Sequence, residues 1–311
     1  MILTLNETKT ILRGVCNFHE EDGWLAAYHF TDEQIASFEK DEFYYIRAHH
    51  SAGITMQLRT DAAKLAFDYK LVRRCSSDSI DVFVDDLPVS MTLLKGLPDE
   101  GRIECALPEG DKRVTVYFPL DNQMLVKNVE IDGAWKPVIP RTRVLWIGDS
   151  ITQGYGPLLA GYSYANVANR ALHWDITVQG IGGLRYDDRF LTPIPGYKPH
   201  KIVVSLGTNG CGAPDNIPRA ETFFATLAER YPGLPTLVIT PIWRANGWEK
   251  VLADNPQVEA ICAKYPNITV VDGGKLVPHV GPMFIDGLHP NALGCTCYGE
   301  NLAKEIRRLK F

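Results

Sequence analysis

The stretch Arg141-Thr-Arg-Val-Leu-Trp-Ile-Gly-Asp-Ser-Ile-Thr-Gln-Gly154 decides how this chain folds. Val144 to Ile147 form an unbroken apolar run, as expected of a strand covered on both faces in a parallel sheet. Gly148-Asp149-Ser150 ends the run abruptly. In open α/β sheets the ligand crevice lies beyond the carboxyl ends of the strands, so a hydroxyl at this point is placed for chemistry. Ser150 is therefore a candidate nucleophile. An isolated Asp-Ser after a strand is more often a helix cap, and only the downstream sequence tips the balance.

Downstream of residue 142 the rhythm is strand, loop, helix. Strands are expected at 143–147, 175–179, 201–206, 236–240 and 268–272, with helices near 162–172, 219–230, 254–264 and 292–309. Such alternation implies right-handed crossovers and a parallel sheet with helices on both faces.

Upstream the pattern is different. Segments 43–48, 54–59, 64–71, 80–84, 102–107, 113–118 and 126–131 read as short strands separated by turn signals such as Asp85-Asp86 and Asp132-Gly133. Their spacing suits an all-β sandwich of jelly-roll type over residues 1–138. One short helix is expected, near 31–38, where Thr31 and Gln34 form a capping box. Pro137 to Pro140 then read as a stiff linker, and residues 139–311 as the second domain.

Composition limits the partners. The 311 residues are 45% apolar and 22% charged with a formal net charge of −5, which offers no basic surface for nucleic acid or anionic membrane. A small or neutral substrate is expected, and no membrane partner. The N-terminus carries no basic start followed by an apolar run, so a cytoplasmic location is expected. Seven scattered cysteines suit reduced thiols better than a disulfide framework. Cys295-x-Cys297 has no second ligand pair, so neither a metal nor a cofactor is expected.

Each loop after a strand of the second half carries a polar or glycine signature. After the first three strands these are Gly148-Asp149-Ser150-Ile151, Gly180-Ile-Gly182-Gly183 and Gly207-Thr208-Asn209-Gly210, and near the C-terminus stands Asp286-Gly-Leu-His289-Pro290. Acyl transfer needs a nucleophile, a base, a group that orients the base, and donors for the oxyanion. All four parts are present at one end of one sheet. Gly180-x-Gly182 lacks the third glycine of a dinucleotide fingerprint, because Arg185 stands there. Ser150 is not in Gly-x-Ser-x-Gly, which argues against an α/β-hydrolase elbow.

These four blocks, in this order, resemble the SGNH or GDSL hydrolases over residues 143 to about 309, a family with a flavodoxin-like sheet. A sandwich ahead of such a domain is similar to the two-domain carbohydrate acetyl esterases. The resemblance implies Ser150 as nucleophile, His289 as its base and Asp286 as the group that orients His289. It also implies an oxyanion hole made by the backbone N–H groups of Ser150 and Gly183 and the side-chain amide of Asn209. The family's third block commonly continues Asn-Asp, whereas Gly210-Cys211-Gly212 follows here, which leaves the conformation of that loop open. Trp243 and Tyr155 are candidates to wall the substrate site, although Trp243 reads equally well as a core residue.

The expected activity is a metal-free serine esterase that removes acetyl groups from a sugar or oligosaccharide. The same triad would serve a lysophospholipase or acyl-thioesterase. A glycan-binding protein with a vestigial site is the reading from a different class. The oligomeric state is not legible.

Overall fold

The computed structural model describes residues 1–76 and 78–311, which divide into two compact units. The first unit comprises Met1–Arg141 with Leu158–Gly161, and the second Thr142–Pro157 with Tyr162–Phe311.

The first unit is a sandwich of two antiparallel sheets. One runs in the order Leu12–Arg13, Thr55–Thr60, Lys112–Tyr117, Ser79–Val84, Leu87–Leu93, with Trp135–Pro137 also pairing on Thr55–Thr60. The other runs Asn17–Glu21, Trp24–Tyr28, Asn122–Ile131, Lys64–Arg74, Glu100–Ala106. Alternate residues of both sheets, among them Met56, Leu58, Val82 and Val116 from one and Phe67, Tyr69, Met124 and Val126 from the other, share one buried core. The segment Leu158–Gly161 is held on this unit by hydrogen bonds from Ala160 N to Ser79 Oγ and from Gly161 N to Asp81 Oδ2.

Three expectations for this half need correction. Segment 43–48 is a helix, Glu42–Ala48, because Asp41 caps it by accepting from Tyr44 N, and Arg47 stacks on the Phe43 ring one turn back. Local capping outweighs the β preference of Phe-Tyr-Tyr-Ile. A further helix, Leu5–Ile11, starts from a complete capping box of Thr4 and Glu7, so the capped helix at Asp32–Ser37 has company. Leu87–Leu93 is a strand whose apolar residues face outward, and it follows a two-residue turn with positive φ at both Asp85 and Asp86.

The second unit has a five-stranded parallel sheet. In chain order its strands are Arg143–Gly148, Asp175–Gly180, Lys201–Ser205, Thr236–Ile239 and Ile268–Val271, and in space they lie 2-1-3-4-5, the flavodoxin-like order. Val144, Trp146, Val203, Leu237 and Ile239 point to one face, into a cluster with Tyr164, Tyr298 and Leu302 of the packed helices Tyr164–Leu172 and Ala292–Arg308. The alternating Leu145, Ile147, Ile202, Val204 and Val238 are equally buried on the opposite face. Helices Asn216–Arg230 and Trp248–Cys262 pack on each other. Among the described residues no helix is long and apolar enough to cross a membrane.

Candidate active site

Two glycines let the serine turn sit on the strand ends. Gly148 and Gly180 are register partners at the carboxyl ends of adjacent strands. A Cβ on Gly148 would lie 2.0 Å from Thr152 Oγ1, and one on Gly180 would lie 2.4 Å from Gln153 N. The short helix Ser150–Gln153 therefore rests directly on backbone that carries no side chain. Asp149 caps this helix by accepting from Ile151 N, and Gly154 ends it in the left-handed region. Thr152 Oγ1 meets Tyr164 OH at 2.8 Å, and that ring stacks on Tyr298 at 4.0 Å, so the turn is tied into the core below it.

His289 arrives from the other end of the chain. Its Nε2 lies 2.8 Å from Ser150 Oγ across 139 residues of sequence, and its Nδ1 lies 2.7 Å from Asp286 Oδ2. An ionised carboxylate can only accept, so Nδ1 carries the proton and Nε2 is the bare nitrogen facing the hydroxyl. Asp286 Oδ1 also accepts from the backbone N–H of Leu288 and of His289, at 2.9 and 2.8 Å. Burial pushes the Asp286 carboxyl up, but the hydrogen bonds from the His289 backbone, the His289 ring and Leu288 more than offset it. The group stays below its ordinary value. Ser150 is buried, and His289 is only 14% exposed in its side chain. The three residues can thus pass a proton from Ser150 to an imidazole whose charge is stabilised from behind.

Asp149 behaves differently. Burial pushes its carboxyl up to about 7, against the hydrogen bonds from Ile151 N and its own N–H and the charge of Arg244.

Gly183 lies exposed on its loop with φ +75° and nothing within 4 Å of a Cβ position. Asn209, half-buried, donates from Nδ2 to Leu184 O at 3.1 Å, which links the second and third loops. Tyr155 presents its ring to His289 with centroids 4.8 Å apart, and its own N–H donates to Ser150 O. Trp243 is half-buried, stacked on His279 at 5.6 Å and edge-on to Phe284 at 5.1 Å, against the edge of the core.

Sequence reasoning passed over several residues that shape these loops. The buried Gln153 accepts from Gly182 N at 2.8 Å and so joins the first loop to the second. Gly156 packs on Pro290, and Arg244 donates from Nη1 to Thr208 O at 2.9 Å. The Gly154-x-Gly156 pair was a visible signal, since two glycines beside a nucleophile turn suggest close backbone approach. A glutamine or arginine reaching a distant peptide leaves no such mark.

Residues 146–296 match the GDSL-like Lipase/Acylhydrolase family. Among solved structures, a Bacteroides ovatus protein described as a GDSL-like lipase has TM-score 0.80 and 15% identity, covering 100% of this chain and 98% of that one. The salicylyl-acyltransferase SsfX3 from a tetracycline biosynthetic pathway has TM-score 0.77 and 21% identity over 96% of this chain and 94% of its own. A family two carbohydrate esterase from Cellvibrio japonicus has TM-score 0.64 and 16% identity over 97% and 96%. No curated protein matches the chain. Residues 146–296, with the parallel sheet that carries them, are thus similar to the GDSL-like lipase/acylhydrolase (SGNH) family, a match that marks the chain as a carboxylic ester hydrolase, and this domain follows a β-sandwich in the chain.

Proposed function

We propose that this protein hydrolyses short-chain, acetyl-type esters of carbohydrates through an acyl-enzyme on Ser150. The observation that carries the reading is the continuous relay Ser150 Oγ to His289 Nε2 at 2.8 Å and His289 Nδ1 to Asp286 Oδ2 at 2.7 Å. Ser150 Oγ attacks the ester carbonyl while His289 Nε2 takes its proton. The tetrahedral oxyanion is met by the N–H groups of Ser150 and Gly183 and by Asn209 Nδ2, each such donor contributing roughly 3 kcal/mol to lowering the barrier. His289 then protonates the departing alcohol, and water repeats the sequence on the acyl-enzyme to release the acid. No step calls for a metal or cofactor.

The carbohydrate assignment is supported by whole-chain similarity to a family two carbohydrate esterase and by the glycine-rich, polar loops around Ser150. An acetylated sugar or oligosaccharide is the substrate class we assign, within a cytoplasmic setting. Incubation with p-nitrophenyl acetate, then with a panel of acetylated oligosaccharides, tests the reading. Acetate release that disappears in Ser150→Ala supports it. Intact mass after rapid quench should show a transient adduct of acetyl mass, and sugar binding with no ester turnover would reject an esterase.

A further inference from the structure

We propose that Arg185 is a positioning residue for the oxyanion site, bracing the Asn209 loop from a fixed point at the start of the helix Asn216–Arg230. The proposal rests on the reading of Ser150 and Asn209 given above. Arg185 follows the Gly183 loop in sequence, and its guanidinium reaches across to the next loop. There it lies on the α-carbon of Gly210, the residue after Asn209. A Cβ on Gly210 would stand 2.2 Å from Arg185 Nε and 2.7 Å from both Cζ and Nη2. Gly210 also has φ +85°, so both its conformation and its neighbour require glycine. The acid that commonly follows the asparagine in this family would not fit here, and the guanidinium occupies its place.

The far side of the guanidinium is anchored. Nη1 and Nη2 donate to the two carboxylate oxygens of Asp215 at 3.0 and 2.6 Å, a bidentate geometry that fixes the plane of the group. Asp215 is itself held by Arg219 Nε at 2.7 Å. Arg185 Nε is buried and has no hydrogen-bond partner, so the side chain gives up one donor in order to press on Gly210. The Asp215 side chain is 50% exposed, so solvent screens the pair and its contribution to stability is small. It does not cap the helix it precedes. Orientation is what remains. With Asn209 Nδ2 bonded to Leu184 O, one residue before Arg185, the brace closes a ring running Leu184, Arg185, Gly210 and Asn209. Any rotation of the Asn209–Gly210 peptide is blocked by the planar group lying on it.

The test uses the full chain and p-nitrophenyl acetate. Arg185→Met keeps the stem and loses the fork, and Asp215→Ala loses the anchor. Each should lower kcat about 10-fold to 100-fold, less than or equal to complete loss of an oxyanion donor, with KM within about twofold and the thermal midpoint nearly unchanged. Arg185→Lys should recover only part of the rate, because one ammonium cannot reproduce the fork. In an Asn209→Ala background Arg185→Met should cost nothing further, since both act through the same amide. Unchanged kcat in Arg185→Met, or a loss that multiplies that of Asn209→Ala, overturns the proposal. Full turnover by Ser150→Ala would instead remove the reading of the site beneath it.

Discussion

Gly156 and Pro290 meet backbone to backbone: a Cβ on Gly156 would stand 2.3 Å from the carbonyl oxygen of Pro290 and 3.4 Å from His289 Cβ. The segment just past Ser150 thus sets the position of the loop that carries His289. Gly156 also has φ +128°, which a side chain resists. Gly156→Ala should push Pro290 and His289 away from Ser150. Displacement on the order of 1 Å can cost about 100-fold in rate, so kcat/KM should fall by at least about 10-fold with a lowered thermal midpoint. Steady-state kinetics beside a melting curve check this, and a fully active Gly156→Ala enzyme would show that the contact does not set the base.

Ser150→Ala should abolish ester hydrolysis and leave the thermal midpoint almost unchanged. The Ser150 hydroxyl is paired to His289, at a strand end beyond the packed core, so little stability is lost with it. Residual turnover near the parent rate would show that another group attacks the ester.

Asp286→Asn should cost orders of magnitude, about 10⁴-fold where an orienting carboxylate of this kind has been replaced. The amide can donate to Nδ1 and so favour the wrong tautomer, leaving a proton on the nitrogen that faces Ser150. Because Asp286 also accepts from Leu288 N and His289 N, an Asn that keeps its oxygen on those donors should preserve the loop. A rate within about threefold of the parent would mean that Ser150 and His289 act as a dyad.

Asp149 makes stability depend on pH. Its carboxyl titrates near 3.8 when exposed and at about 7 when folded, so between these values the folded chain holds a proton that the unfolded chain has released. Stability therefore falls as pH rises through this window, and the full penalty is present above about 7. Asn caps a helix as well as Asp does. Asp149→Asn should be more stable than the parent at pH 8 and close to it at pH 4, with an upper bound roughly 4 kcal/mol apart. Urea denaturation at the two pH values decides, and parallel curves would reject the assignment.

Acyl length separates an acetyl esterase from a lipase or thioesterase. Each methylene buried in a fitting trough returns about 0.8 kcal/mol, so a lipase gains rate over the first few carbons. The loops at Gly182–Gly183 and Thr208–Gly210 are short and polar, and overfilling a small site costs more than burial returns. kcat/KM should fall from acetyl to butyryl to octanoyl esters of one alcohol. A rise toward octanoyl would transfer the protein to the lysophospholipase or thioesterase reading.

Much of this architecture was legible because its signals are local. Short segments rich in Val, Ile and Leu, with an unbroken apolar run at Val144–Ile147, marked the parallel strands, and glycine or small polar residues marked the loops at their carboxyl ends. In the sandwich the same approach failed at Glu42–Ala48, where one capping aspartate redirected a segment of strand-forming residues. It also missed Leu87–Leu93, whose apolar residues remain exposed although the alternation is that of a strand.

The sequence by itself determined which chemical groups are available, in what order, and that Ser150, Gly183 and Asn209 stand on loops after strands of one sheet while Asp286 and His289 come near the C-terminus. Only the tertiary structure decided that Ser150 Oγ and His289 Nε2 come within 2.8 Å, that Gln153 holds the Gly182 peptide, and that Arg185 lies on Gly210. The reason is one of range. Strand runs, caps and turns depend on residues a few positions apart, whereas these contacts join loops that only the 2-1-3-4-5 order of the sheet brings together.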